Sequence, residues 1–204
     1  MSPQQIGEII EASTTHFTAQ TFEKQTEALT IPIPPSFGSF VRSHSEEMGI
    51  DILGVVYNVT TGSIDGTHHP TALNLSRQQL REQQPQIFDL LKTNFSAVII
   101  AYVEKRTYFQ FLPPYPPQIH DFVYTCSETE VSRVTDRLFF LRTLLNTPGI
   151  HDELIAATLR LSYRARGNDR LFVVEAGREL ANLLKDNYDR LTAILQRVEP
   201  IIVT

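Results

Sequence analysis

Apolar and polar residues alternate in short runs through residues 1–125, the pattern of β-strands that bury one face. The pattern predicts strands over residues 6–12, 16–22, 37–42, 52–60, 96–104, 107–112 and 122–125. The first two are expected to pair as a hairpin, and Gly7 in the first predicts a bulge or bend. Both alternating sets are mostly apolar in the run 52–60, so we expect that strand to be covered on both faces.

Helical and proline-rich segments interrupt these strands. Ser76 and Gln79 have the capping-box spacing, and Pro85 is suited to begin a second short helix, so a helical insertion is predicted over about 76–93. The proline-rich segments 31–35 and 113–117 are predicted to be stiff connections, because proline lacks the N–H that a sheet requires. A loop is predicted over 62–70.

The hydrophobic period changes after Cys126. Ser127 and Glu130 form a second capping box, and apolar residues then recur every three or four positions up to residue 145, which predicts one amphipathic helix. A second helix is predicted to end at Gly167, and a third to span about 169–198. Residues 171–174 are β-branched or aromatic and could instead form a strand, but helix is the preferred interpretation.

Strands followed by helices are typical of an α+β protein. We predict an N-terminal small β-barrel with a helical insertion over residues 1–126, followed by a C-terminal all-α helical domain of about three helices over residues 127–204. Cys126 is the sole cysteine, so no intrachain disulfide is possible. Because the apolar runs are also far shorter than the ~20 residues of a spanning helix, we expect a cytoplasmic protein that does not contact a membrane.

Charge is unevenly distributed along a chain whose composition is otherwise ordinary. Hydrophobic residues make up 42% and charged residues 20%, as in globular proteins generally. Residues 1–125 carry 7 basic and 12 acidic residues, whereas residues 126–204 carry 11 of each. The acidic first part argues against broad phosphate binding there, and leaves the second part as the place where an acidic partner could bind.

Four arginines of the second part are the candidate partner-binding residues. Arg160 and Arg164 lie four apart and share a predicted helix face, and Arg166 and Arg170 continue the group. Such a set could bind an acidic protein or a nucleic-acid backbone. The alternative is a solvated face with local ion pairs to three acidic residues: Asp136, Asp169 and Glu175.

Catalytic signatures are sparse. The chain has neither a P-loop nor a Rossmann glycine pattern, so no nucleotide cofactor is predicted by those routes. His68 and His69 beside Asp65 are the one candidate metal cluster, and a solvated loop is the preferred interpretation. Cys126, before a predicted helix, could be a nucleophile, but such a cysteine is more often a packing residue. We therefore predict no catalytic, cofactor-binding or metal-binding residue.

Three segments carry a family resemblance: IGEIIEASTTHFTAQTF (6–22), PSFGSFV (35–41) and ILGVVYNVTTGS (52–63). Together they resemble the HAS barrel, the small β-barrel at the N-termini of HerA-type DNA translocases and of the catalytic-ring subunits of ATP synthases. The matching positions are Gly7, Ser13, Thr14, Thr15, Phe17, Pro35, Gly38, Val55 and Val56. The resemblance covers roughly residues 4–125. The ATPase domain of those proteins has no counterpart in the helical residues that follow, so ATP hydrolysis is not implied.

The resemblance implies a role in assembly, since such barrels hold rings together or dock partners. We expect a non-catalytic assembly or protein-interaction module that forms homo-oligomers. The alternative is an accessory subunit of a DNA-processing complex, which would bind a translocase, a nuclease or DNA, the last through Arg160, Arg164, Arg166 and Arg170. A third hypothesis, an enzyme with an unrecognised site, is the least favoured.

Overall fold

A computed structural model of the chain describes residues 3–22, 34–63 and 74–198. The strands are β1 (Gln5–Ala12), β2 (His16–Thr21), β3 (Phe40–Ser45), β4 (Ile50–Ser63), β5 (Leu91–Glu104), β6 (Thr107–Phe109) and β7 (Phe122–Thr125). The helices are α1 (Arg77–Gln83), α2 (Gln86–Asp89), α3 (Glu128–Val134), α4 (Phe139–Asn146), α5 (Asp152–Ala165), α6 (Arg170–Leu183) and α7 (Tyr188–Val198). Most of the predicted loop 62–70, with His68 and His69, lies outside the described residues, as do residues 31–33 of the first proline-rich connection.

Six strands close into an antiparallel barrel. The pairing runs β2–β1–β7–β3–β4–β5, and β5 pairs back with β2. β6 extends the sheet from β5 through a tight turn at Lys105 and Arg106, which both have positive φ, as a two-residue hairpin requires. The predicted β1–β2 hairpin and the predicted barrel are confirmed.

Side chains from all six barrel strands fill the barrel interior, among them Ile9, Phe17, Val41, Ile52, Phe95 and Val123. β1 changes register between Gln5 and Gly7, which confirms the predicted irregularity. A Cβ atom on Gly7 would lie 2.5 Å from the Gln20 carbonyl oxygen, so only glycine fits this close strand approach.

β4 contributes to two cores, as its sequence predicts. Ile52 and Val56 point into the barrel, whereas Leu53 and Val55 belong to a second cluster that includes the C-terminal helices. That second cluster joins barrel residues such as Phe40 to helical residues that are fully buried, among them Phe140, Leu154, Ile155 and Leu180. The helical region therefore packs on the outside of the barrel.

Several predicted element boundaries in the barrel region are wrong. The third strand begins at Phe40 rather than at residue 37, because Gly38 has a φ of +84° and takes part in a turn. The helical insertion ends before residue 91, where β5 begins, and β6 ends at Phe109 rather than at residue 112. The capping box of Ser76 and Gln79 is confirmed at the start of α1.

The single helix predicted to end at residue 145 is divided into α3 and α4. Its start is confirmed, since Ser127 and Glu130 form a complete capping box. The Thr135 hydroxyl donates to the Val131 carbonyl at 2.7 Å, a local bond of the kind that bends helices. The chain then leaves the helix over residues 135–138.

Gln110, just beyond β6, holds this break. Its side-chain amide donates to the carbonyls of Val134 and, at 2.6 Å, Arg137, while its amide oxygen accepts the Phe140 N–H at 3.3 Å. A distant side chain thus satisfies backbone groups at the end of α3 and the start of α4.

The predicted third helix is likewise two helices, α6 and α7, so residues 128–198 form five helices rather than three. The Asn187 side chain accepts the Arg190 N–H at 3.2 Å, as an N-cap for α7. Residues 171–174 lie within α6, so the preference for helix is confirmed. Gly167, with a φ of +67°, follows the end of α5 as predicted.

Arg42 links the barrel to α3 through charge. Its guanidinium lies 3.2 Å from Asp51 Oδ1, 3.0 Å from Glu130 Oε1 and 5.3 Å from the centre of the Tyr124 ring. Glu130 therefore caps α3 and also pairs with a barrel side chain.

We expect Gly38→Ala to lower the free energy of unfolding by about 2–4 kcal/mol, because it combines backbone strain with overpacking. The new Cβ atom would lie 2.7 Å from the Ala157 Cβ atom of α5. Gly149→Ala is the matched control, since Gly149 has a φ of +78° with no neighbour within 4 Å. Urea denaturation should show a loss of about 1 kcal/mol for the control. Equal losses would contradict a tight contact between barrel and helix at Gly38.

Gln110→Leu should lower the free energy of unfolding by about 1–3 kcal/mol, because it leaves backbone groups at the α3–α4 break without partners. The comparison is Gln83→Leu, an exposed position in α1, for which we expect a change within about 0.5 kcal/mol. Chemical denaturation followed by circular dichroism measures both. If the two variants are equally stable, Gln110 does not hold the break.

Candidate functional site

A cleft of about 680 Å³ lies where the helices meet the barrel. Its walls include Thr15, Phe111, Leu112, Phe139, Arg142 and Glu179. The cleft borders one edge of β5, whose residues 94–98 pair with β2 and residues 102–104 with β6. Ile100, between these two pairings, is an extra residue with no partner in β4. On the other edge of β5, the Ile99 N–H donates to the carbonyl of Thr15, the residue before β2, at 2.8 Å.

The chemistry of the cleft suits apolar contact. Phe111 and Phe139 are each more than half exposed at its edge. Arg142 and Glu179 are the charged residues of its lining, and no ion pair joins them in the part of the chain that the structure describes. The described lining contains neither histidine nor cysteine.

One wall of the cleft continues into a segment of exposed apolar side chains. Five of the thirteen large apolar side chains that are exposed in the described residues fall between residues 111 and 122. We call these five the apolar ridge: Phe111, Leu112, Tyr115, Ile119 and Phe122. Each is between 43% and 62% exposed. Exposed apolar residues are normal when scattered, whereas a concentration of them is a candidate interaction surface.

Both ends of the ridge are anchored to the barrel. The Phe111 ring lies 5.6 Å from the rings of Tyr102 and Phe109, and the Phe122 ring lies 5.9 Å from that of Phe22. Between these ends Pro113 and Pro117 are buried. Because proline fixes φ, the segment is restricted in the conformations that it can adopt.

An acidic cluster borders the ridge. Glu46 and Glu47 are exposed in the turn between β3 and β4. The side-chain amide of Gln118 donates to the Glu47 carboxylate at 2.7 Å, and the backbone N–H of Gln118 donates to the Asp121 carboxylate at 2.9 Å. Burial raises the pKa of Asp121, the hydrogen bond from Gln118 and the charge of His44 lower it, and Glu47 and Glu46 raise it. We call Glu46, Glu47 and Asp121 the acidic cluster.

The four candidate arginines have different environments. Arg166 donates to the Ser132 carbonyl at 2.7 Å and to Asp136 at 3.0 Å, and its guanidinium lies 5.0 Å from the centre of the Phe172 ring. Its side chain is only 20% exposed, so it joins the end of α5 to the loop after α3. This contact with Asp136, and a longer one of 3.9 Å to Asp169, are the local ion pairs of the alternative interpretation.

Arg160 also has an intramolecular role, because it donates to the Arg197 carbonyl of α7 at 2.8 Å. Arg164 and Arg170 are exposed, and neither forms an ion pair with any residue that the structure describes. Of the four candidate arginines, two are therefore exposed and two hold helices together.

Cys126 is a poor nucleophile in this position. Its thiol is partly buried against the cluster that joins barrel and helices. Burial raises the pKa of the Cys126 thiol well above its usual value, and the Glu130 carboxylate raises it further. The helix N-terminus, which could have lowered this pKa, is occupied by the capping carboxylate of Glu130.

Two features were missed from the sequence. The first is a polar contact, in which His44 Nδ1 lies 2.9 Å from Asp51 Oδ1. Arg42 also contacts Asp51 and lies two residues before His44 in β3. Residues two apart share a face of a strand, so the alternating pattern was visible in the sequence. The second feature missed is the apolar ridge itself. Its signal in the sequence was the set of apolar side chains among the prolines of residues 111–122. Within the described ranges no three His, Cys, Asp or Glu residues are placed to hold a metal ion, and none of the helices there could span a membrane.

A comparison with protein families matches residues 6–105 to the HAS barrel domain, and a search of curated proteins finds none that matches the chain. The matched region contains β1 to β5, including the β2–β5 pairing that closes the barrel. β7, which completes the barrel, and the five C-terminal helices lie beyond it. Residues 6–105 are therefore a HAS barrel domain, in a chain that continues as a helical C-terminal region.

Proposed function

We propose that this protein is a non-catalytic assembly module, which docks a second copy of itself through the apolar ridge. The observation that carries the proposal is the concentration of exposed apolar side chains between residues 111 and 122. The HAS barrel domain, a domain of translocase-type proteins, accords with a role in a larger complex.

The ridge is well suited to docking because it is already ordered in the single chain. The Ile9 N–H donates to the Asp121 carbonyl at 2.9 Å, and the His120 N–H donates to the Ile9 carbonyl at 3.0 Å. These bonds, with the two prolines, hold the segment against β1. Binding therefore costs little conformational entropy, which favours association.

The described polar groups support a non-catalytic role. The Cys126 thiol has a raised pKa and is protonated at neutral pH, so it is a weak nucleophile. The charged residues of the cleft, Arg142 and Glu179, do not form the nucleophile–base pair that acyl or phosphoryl transfer uses.

A second candidate function, an accessory subunit that binds DNA, is favoured by Arg164 and Arg170. Both are exposed, and neither is paired with an acidic side chain among the described residues. The formal charge of the whole chain, −5, opposes this alternative, because phosphate binding requires a positive surface.

To test the proposal we suggest the variant Leu112→Ser/Tyr115→Ser/Ile119→Ser. The wild type should elute as an oligomer and the variant as a monomer, because burial of these side chains drives association. Size-exclusion chromatography with light scattering measures the mass. The control is Leu90→Ser/Tyr188→Ser, which removes two exposed apolar side chains elsewhere and should leave the mass unchanged. An unaltered oligomer in the ridge variant, or a monomeric wild type, would refute the proposal.

For the DNA alternative, fluorescence anisotropy with labelled duplex at ~50 mM and ~200 mM salt is informative. We expect no salt-sensitive binding. The alternative predicts binding that Arg164→Gln/Arg170→Gln weakens, with the salt slope reduced by about two for two lost phosphate contacts. Arg166→Gln is unsuitable for this test, because its loss would disturb the α3–α5 contact.

A further inference from the structure

α6 presents a second exposed apolar surface, on the side of the molecule formed by helices. Leu171 and Val174 are 63% and 49% exposed, whereas Phe172, Ala176 and Leu180 on the opposite side of the helix are buried. Residues four apart share a helix face, so Val174 lies between Arg170 and Arg178. Both arginines are exposed. We call Arg170, Leu171, Val174 and Arg178 the α6 face.

The charge of the α6 face is mainly positive. Glu175 is exposed at its margin, so the two arginines outnumber one carboxylate. No ion pair occupies Arg170 or Arg178 in the ranges that the structure describes. Two apolar side chains flanked by available guanidinium groups are typical of a surface for an apolar partner with carboxylates.

The apolar ridge has the complementary character. Ile119 lies next to Gln118, which hydrogen-bonds to Glu47 of the acidic cluster. Exposed apolar side chains and exposed carboxylates therefore lie side by side on the barrel, as apolar side chains and guanidinium groups do on α6. Complementary charge favours one pairing and opposes the pairing of like surfaces.

We propose that the α6 face of one copy docks on the apolar ridge and acidic cluster of a second copy. This inference rests on the proposed function, since it identifies the second surface of the same assembly. The two surfaces belong to different elements, so the contact is heterologous and each copy has one surface of each kind. Pairing of two α6 faces would place Arg170 and Arg178 against the same arginines of the second copy. Pairing of two acidic clusters would place Glu46 and Glu47 against the same carboxylates.

A charge exchange tests the pairing. Arg170→Glu/Arg178→Glu reverses the α6 face, and Glu46→Arg/Glu47→Arg reverses the acidic cluster. Each double variant should weaken self-association at least about tenfold, because like charges then face each other. The quadruple variant that combines both should recover association to within about threefold of the wild type, because the charges are complementary again. Sedimentation velocity over a range of concentrations measures the association constant.

Two further variants serve as controls for the charge exchange. Glu46→Gln/Glu47→Gln keeps an acceptor for Gln118 and should weaken association less than the arginine variant does. Lys105→Glu/Arg106→Glu changes the net charge as much as the α6 variant, at an exposed turn, and should associate as the wild type does.

The outcomes separate this inference from the proposed function. If the wild type associates and the ridge serine variant does not, but the charge variants behave as the wild type, only the α6 pairing is wrong. A folded quadruple variant that stays monomeric likewise overturns the pairing. If the wild type is monomeric at every concentration, self-assembly itself is refuted.

Discussion

The architecture depends on the pairing of β5 along both of its edges. One edge pairs with β4 over its whole length, and the other pairs first with β2, which closes the barrel, and then with β6. The extra residue at Ile100 breaks the alternation of side chains, so that Ile99 and Tyr102 point into the barrel while Ile100 and Ala101 both point toward the helices. One strand thereby supplies two cores. Without this bulge the helical region would lose part of the apolar surface on which it packs.

Closure of the barrel also limits how the protein can recognise a partner. Of the seven described strands, six have partners on both edges, and β6, with three residues, has a free edge followed by the proline-rich segment. Such a short edge offers little for an added strand. The proposed docking therefore relies on side chains, and the apolar ridge is where exposed apolar side chains are concentrated. This is why the proposed interface is built on a loop rather than on the sheet.

Local patterns in the sequence determined much of the fold. The two capping boxes, the stop at Gly167 and the hairpin of β1 and β2 depend on residues close together in the chain, so they were predictable. The order of strands before helices followed from the change in hydrophobic period, and the HAS barrel resemblance followed from short motifs that the family comparison supports. The N-cap residue Asn187 was also a local signal for the start of α7, although the single helix predicted over 169–198 did not take it into account.

Tertiary structure alone decided the remaining features, because their partners come from distant parts of the chain. The break between α3 and α4 depends on Gln110 and Arg166, whose contacts with that segment no periodicity reveals. Arg160 and Arg164 look equivalent in sequence, yet only the first meets a carbonyl of α7. The sequence by itself determined the order of strands before helices and where most of these elements begin, since that is a matter of local pattern. Only the packing of barrel and helices decided which apolar and charged side chains stay exposed.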